Sequence, residues 1–153
     1  MDSAAIRIPP PIFFFVCLGC GLLLEYLLPI SLINLPLVPR VIVGGIFIMI
    51  AIFFAASGFF MLIMNKTTFD TSKSTSKIVT NGVYRFSRNP LYLSLLLLLS
   101  AFAVLLSSLW IFMAIPVLYV LFLFKAVQPE EKYLLQKFGE EYLHYSKKVR
   151  RWI

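Results

Sequence analysis

Long stretches of the chain carry no charged side chain, and their lengths predict transmembrane helices. The first runs over residues 8–24 and extends to residue 33 if Glu25 faces protein or the membrane interface. The second runs over residues 41–65. A bilayer core needs about 20 apolar residues in helical conformation. The first two predicted spans are therefore residues 10–33 and 41–64.

The third uncharged stretch, residues 91–124, is too long for one crossing. As a single helix it would be about 51 Å long at 1.5 Å per residue, against a core of about 30 Å. It must fold back, and Ser107 to Trp110 offers small polar groups and an interfacial aromatic for the turn. The pattern predicts an all-α integral membrane protein with about four transmembrane helices. The last two, residues 91–106 and 111–125, form a tight hairpin.

The tail, residues 126–153, has a different pattern. Pro129 and the two acids after it suit the first turn of a helix. Apolar side chains then recur at steps of three and four residues, opposite a basic face. They are Leu134, Phe138, Tyr142, Tyr145 and Val149. The pattern predicts an amphipathic C-terminal helix, which either lies in the membrane interface or closes over a site.

Composition supports a single multi-pass membrane domain over residues 1–153. The chain is 60% hydrophobic and 14% charged, whereas soluble domains carry about 25% charged residues. The formal charge of +7 would suggest nucleic acid in a soluble protein, but 12 of the 14 basic residues lie within residues 65–90 or from Lys125 onward. The positive-inside rule then predicts a cytoplasmic loop, tail and N-terminus. We expect contact with membrane lipids and no nucleic-acid partner.

Metal and nucleophile chemistry find little support in the sequence. Cys17 and Cys20 are spaced as C-x-x-C, but they fall inside a predicted span, where thiolates are disfavoured. We interpret both as buried small apolar residues and predict no metal site. No glycine-rich phosphate loop and no Ser/His/Asp arrangement is present, which disfavours hydrolases and nucleoside triphosphatases.

Two polar segments are predicted to meet at the cytoplasmic end of the hairpin. The first leads through an Asn-Gly turn to Arg88 and Asn89, directly before the third span, where a helix N-terminus favours an anion. The second is the pair Glu130 and Glu131, just beyond the fourth span. A zwitterionic ligand would suit both segments. Equally, Arg88 could serve only as a topological anchor and the glutamates only as helix caps.

These residues resemble a known family. The pattern comprises Gly82-Val-Tyr84, Arg88-Asn-Pro90-x-Tyr92, a hairpin, Glu130-Glu131-x-x-Leu134-x-x-x-Phe138-Gly139-x-Glu141-Tyr142-x-x-Tyr145 and Val149-x-Arg151-Trp152. It looks like the isoprenylcysteine carboxyl methyltransferases, which are grouped with the phospholipid methyltransferases. The resemblance covers about residues 80–153, and the short chain looks like the smaller prokaryotic members.

The resemblance implies an S-adenosylmethionine-dependent methyltransferase whose tail closes over the cofactor. The implied cofactor-binding residues are Tyr84, Asn89, Pro90, Tyr92, Glu130, Glu131, Tyr142 and Tyr145. Catalytic roles fall to Arg88, Glu131 and Arg151, with either arginine able to hold an acceptor carboxylate as a bidentate pair. Asn89 stands where the prenylcysteine enzymes have His, and Asn cannot titrate.

The implied acceptor is lipophilic, either a small molecule or a prenylated substrate, and is methylated on a carboxylate. One alternative is a phospholipid amine, which would need a base such as a glutamate or Tyr92. Another is a non-catalytic membrane protein that packs against partners or lipids. The sequence leaves the acceptor and the oligomeric state open.

Overall fold

The computed structural model describes residues 8–30, 36–65 and 77–153, and every regular element within these ranges is helical. The elements are α1 (Pro10–Leu27), α2 (Leu37–Met64), a 3₁₀ turn (Gly82–Arg85), α3 (Pro90–Leu105), α4 (Leu109–Phe122), a π-helical turn (Leu123–Val127), α5 (Gln128–Phe138) and α6 (Glu140–Lys148). The prediction that the fold is all-α is confirmed for the described residues.

Three helical runs of the described residues are long and apolar enough to cross a membrane. They are α1, α2 and the continuous run Leu109–Phe138. Helix α3 is apolar but has 16 residues. Four crossings, and a cytoplasmic location of the loop and termini, stay predictions. Residues 1–7 and 66–76, which contain Arg7, Lys66 and Lys73 of the charge argument, lie outside the described residues.

Two helix ends differ by several residues from the predicted span limits. Helix α1 ends at Leu27 rather than at residue 33, and residues 31–35 lie outside the described ranges. Helix α2 begins at Leu37 rather than at residue 41, because Arg40 fits inside its first turn and donates a hydrogen bond to Ser107 Oγ at 3.2 Å. One charged residue near a helix end did not stop the helix. Helices α3 and α4 begin and end within three residues of the predicted limits.

The predicted turn between α3 and α4 is present, and Ser108 is its central residue. Its Oγ accepts from the backbone N–H of Ile111 at 3.3 Å, which caps α4. The same hydroxyl donates to Glu25 Oε2 at 2.6 Å, so this carboxylate faces protein. Trp110 lies in the first turn of α4 rather than in the loop, and its indole N–H donates to the Leu28 carbonyl.

Glycines allow the helices to pack closely in two pairs, α2 on α3 and α1 on α4. A Cβ at Gly44 or Gly58 would lie within 3 Å of a leucine side chain of α3, and one at Gly21 would meet Ile111 of α4. The shared core of the bundle is centred on fully buried side chains of α3 and α4. One expectation about α1 was wrong: Cys17 is buried, but Cys20 is exposed, because one helix face turns outward.

The end of α4 continues into α5 through a π-helical turn. Pro129 has no N–H and cannot bond the carbonyl of Lys125 four residues earlier, which an α-helix would require. The N–H of Gln128 instead reaches the carbonyl of Leu123, five residues back. The helix thus accommodates one extra residue without a break and leads directly to the glutamate pair.

The tail forms two helices instead of the single one predicted. Gly139, at φ 53°, ends α5 and begins α6, a backbone conformation that suits glycine. The predicted apolar stripe is nevertheless continuous, since Tyr142 and Tyr145 cluster with Leu134, Phe138 and Val149. This cluster packs on Ile78 of the preceding loop. The tail therefore covers the loop-bearing end of the bundle.

Candidate functional site

The segment that leads into α3 is held by the end of the chain. The backbone N–H of Arg88 donates to the carbonyl of Arg150 at 3.1 Å, and Asn89 Nδ2 donates to the carbonyl of Arg151 at 3.0 Å. Ser87 is fully buried, and its Oγ accepts from the N–H of Asn89 at 3.1 Å. Pro90 then occupies the first position of α3. The C-terminal segment thus lies against the N-terminus of α3.

A tyrosine–glutamate pair lies beside this joint. Tyr92, in the first turn of α3, donates its hydroxyl to Glu130 Oε2 at 2.8 Å. Tyr145 of α6 donates to the carbonyl of Tyr84 at 2.7 Å, which holds the 3₁₀ turn under the tail. Helix α3 is thereby bonded to α5 through Glu130, and α6 to the 3₁₀ turn through Tyr145.

The surrounding protein changes the acidity of these groups. Burial raises the pKa of the Glu130 carboxyl, the hydrogen bond from Tyr92 opposes this, and the neighbouring Glu131 charge adds to it. Glu130 lies beyond the apolar part of the helix. Burial, followed by the Glu130 charge, raises the pKa of Tyr84. Burial, followed by the Tyr142 hydroxyl, raises the pKa of Tyr145, so both phenols stay protonated.

Glu131 has entirely different partners from its neighbour. It binds Arg151 through two hydrogen bonds, of 3.0 Å from Nε and 2.7 Å from the terminal nitrogen, and Arg88 at 3.0 Å. Arg88 also donates to the hydroxyl of Tyr142 at 3.1 Å. The hydrogen bonds to Glu131 raise the pKa of the Arg151 guanidinium. This charge cluster ties the loop, α5, α6 and the C-terminal segment together.

Comparison with known proteins shows the family. Residues 39–141, more than half of the chain, match the phospholipid methyltransferase family. The chain belongs to this family. Membership makes it a membrane methyltransferase and confirms the family-level resemblance drawn from the sequence. An uncharacterised protein of Haemophilus influenzae is 38% identical over 63 residues, which cover 41% of this chain and all of that protein. No solved structure matches the chain.

The structure of this methyltransferase brings the residues predicted for the site to one end of the bundle. Tyr84, Tyr92, Tyr145 and Glu130 form one group, and Arg88, Arg151, Tyr142 and Glu131 form the other. Asn89 and Pro90 lie at the joint between loop and helix, and the Asn89 amide holds the Arg151 carbonyl. Their roles toward a ligand stay predictions.

Ser87 and Trp152 were missed as site residues. The signal for Ser87 was its position two residues before Asn89, which allows a serine hydroxyl to accept a backbone N–H. Trp152 packs against Tyr119, with ring centroids 5.3 Å apart. Its aromatic character predicts membrane contact as readily as it predicts contact with α4.

Two side-chain nitrogens of the residues described above are buried donors without a partner. Arg88 Nε and Trp152 Nε1 are buried and have no hydrogen-bond partner among the described residues. Buried donors without a partner are costly. A ligand that supplies an anionic oxygen to them, and a cation to Glu130, would match the site. The amino-acid end of S-adenosylmethionine has this chemistry, so the residues present fit the cofactor that the family uses.

Proposed function

We propose that the chain is an S-adenosylmethionine-dependent methyltransferase that acts on a lipophilic acceptor at the cytoplasmic membrane surface. The observation that carries the proposal is the presence of a half-buried carboxylate, Glu130, and of buried donors on Arg88 and Trp152 that have no partner among the described residues. A zwitterion carries a group of each sign and would suit both kinds of partner.

The cofactor supplies a sulfonium methyl group that is already activated, so the protein needs mainly to position the reactants and exclude water. Glu130, oriented by Tyr92, would hold the cofactor ammonium, and Arg88 with Trp152 would hold its carboxylate. Tyr142 and Tyr145 hold the tail helix across the site and so exclude water. These roles use groups that are already ordered by hydrogen bonds.

The charge cluster bears on the acceptor. Glu131 binds both arginines that were expected to hold an acceptor carboxylate. The three side chains together carry one net positive charge, and a cofactor carboxylate would use it. We therefore favour an amine of a phospholipid as acceptor over the carboxylate of an isoprenylcysteine-like lipid, in line with the family's description. In this route Glu130 would have to take the amine proton in addition to holding the cofactor ammonium.

The carboxylate route stays a second candidate because of the exposure of Arg151. Its side chain is 38% exposed, against 13% for Arg88. Arg151 is therefore the guanidinium that can leave Glu131 for an incoming carboxylate. In that route no acceptor proton has to be removed, and Glu130 only holds the cofactor.

Calorimetric titration with S-adenosylhomocysteine tests the cofactor assignment on protein purified in detergent. Glu130→Gln is expected to lose binding, and Glu140→Gln, an exposed acid in the first turn of α6, should bind as the parent does. Folded parent protein that shows no binding would overturn the proposal and favour a non-catalytic packing role.

The acceptor is tested by transfer of labelled methyl to phosphatidylethanolamine and to a farnesylcysteine analogue. A methyl ester releases its label in mild base, whereas an N-methyl group keeps it. Base-stable label on the phospholipid supports the amine route. Base-labile label on the farnesylcysteine analogue supports the carboxylate route instead.

A further inference from the structure

A cleft of about 410 Å³ lies between α2 and the 3₁₀ turn, apart from the site described above. Its lining includes four residues of α2 and two at the end of the turn. They are Phe53, Ser57, Phe60, Met61, Arg85 and Phe86. Tyr84 is not among them, since its neighbours are Glu130 and Tyr145. The 3₁₀ turn therefore separates this cleft from the tyrosine–glutamate pair.

The walls of the cleft are suited to a hydrocarbon chain. Phe53, Phe60 and Phe86 are each more than half exposed, and the first two belong to a helix that is long and apolar enough to cross a membrane. In a bilayer such side chains contact lipid acyl chains rather than water. The cleft is therefore a furrow on a lipid-facing surface.

The charge of Arg85 favours a ligand with an anionic headgroup. Among the described residues that line the cleft, Arg85 is the one that carries a charge. It is exposed, and no hydrogen bond or ion pair joins it to another residue of the described ranges. It lies near the end of α2, where a spanning helix reaches the headgroup level. A guanidinium there binds a phosphate through two parallel hydrogen bonds.

We propose that this cleft binds one glycerophospholipid, with an acyl chain against Phe53 and Phe60 and the phosphate on Arg85. The inference goes beyond methyl transfer, because it uses none of the residues assigned to the cofactor. It holds whether the bound lipid is an acceptor or a permanent neighbour of the protein.

Quenching of a tryptophan by brominated lipid tests the proposal in maltoside micelles, where the host detergent carries no phosphate. Phe86→Trp places the reporter in the cleft, and Phe124→Trp, which is exposed at the same end of the bundle, is the matched control. The signals of Trp110 and Trp152 are subtracted with the parent protein. The probes are dibrominated phosphatidylglycerol and a dibrominated galactosyl diacylglycerol with the same chains but no phosphate.

We expect the phospholipid to quench the Phe86→Trp reporter at about fivefold lower mole fraction than the galactolipid. One basic residue near a membrane surface contributes roughly 1 kcal/mol, which corresponds to this factor. Arg85→Gln should remove the preference, and Lys148→Gln, an exposed charge on the tail, should retain it.

The two parts of the inference have separate refutations. A preference that persists in Arg85→Gln overturns the assignment of the phosphate to Arg85. Equal quenching at positions 86 and 124 by both lipids overturns the cleft as a binding site, and leaves the surface to general lipid contact or to another protein. Neither measurement requires cofactor or turnover, so a failure here is distinct from a failure of the proposed function.

Discussion

Replacing Glu131 by Gln should loosen the tail, because among the described residues this carboxylate is the one that joins Arg88 to Arg151. The Arg88–Glu131 pair is largely buried, with side-chain exposures of 13% and 16%. Removing one partner of a buried pair costs about 3–5 kcal/mol. The amide oxygen of Gln keeps part of the hydrogen bonding. The Arg151–Glu131 ion pair contributes little to stability, because the Arg151 side chain is 38% exposed and water screens the pair. We expect a net loss of about 2 kcal/mol.

The matched variant is Glu130→Gln, one residue earlier. Its carboxyl has a raised pKa because it is buried, so neutralising it removes a desolvated charge while the amide can still accept from Tyr92. Thermal unfolding in detergent, followed by far-ultraviolet circular dichroism, should show a fall of roughly 4–8 °C for Glu131→Gln at this chain length. Glu130→Gln should change by less than about 2 °C.

Equal unfolding temperatures for Glu131→Gln and the parent would refute the assignment of Glu131 as the link between tail and loop. A fall in Glu130→Gln as large as that of its neighbour would show that the two carboxylates do not have separate roles. Titration with S-adenosylhomocysteine on the same samples distinguishes loss of fold from loss of a ligand contact.

Further outcomes follow from the same contacts. Because the pKa of Glu130 is raised, its carboxylate takes up a proton at a higher pH than an ordinary glutamate does. The affinity for S-adenosylhomocysteine should therefore begin to fall at a higher pH as the titrations are acidified. An affinity that does not change with pH would contradict the assignment. Gly82→Ala should destabilise by about 1–2 kcal/mol, since Gly82 has φ 60° and its Cβ would lie 2.6 Å from a methionine sulfur of α2. Gly45→Ala, facing open space, is its control in thermal unfolding. Tyr145→Phe, which loses the bond to the Tyr84 carbonyl, should cost about 1 kcal/mol in the same assay.

Hydropathy predicted the helices well because a membrane-spanning helix needs an uncharged length. It erred at Arg40 since a single charge at a helix end can bond to a neighbouring turn. The tail was predicted as one helix because its apolar period runs through Gly139 without interruption. Only the positive φ of that glycine separates α5 from α6, and no periodicity reports a backbone angle.

The glutamate pair shows which part of the site could not be predicted from the sequence. Sequence placed Glu130 and Glu131 near Arg88 correctly, because a hairpin brings both ends to one face. Adjacent residues on a helix point about 100° apart, so only one of them could meet Tyr92. Which one did so depended on the exact helical phase, and hydropathy carries no such information.

The π-helical turn Leu123–Val127 lies directly before this pair. A turn of this kind holds one residue more than an α-helix in nearly the same rise, so its flanks keep the orientation they would have without the extra residue. Deleting one residue of the turn should therefore preserve the direction of Glu130. The same deletion inside α5, between Glu131 and Phe138, would rotate the apolar stripe of the tail away from Ile78. In this helix, deletions of one residue should therefore be tolerated best within Leu123–Val127.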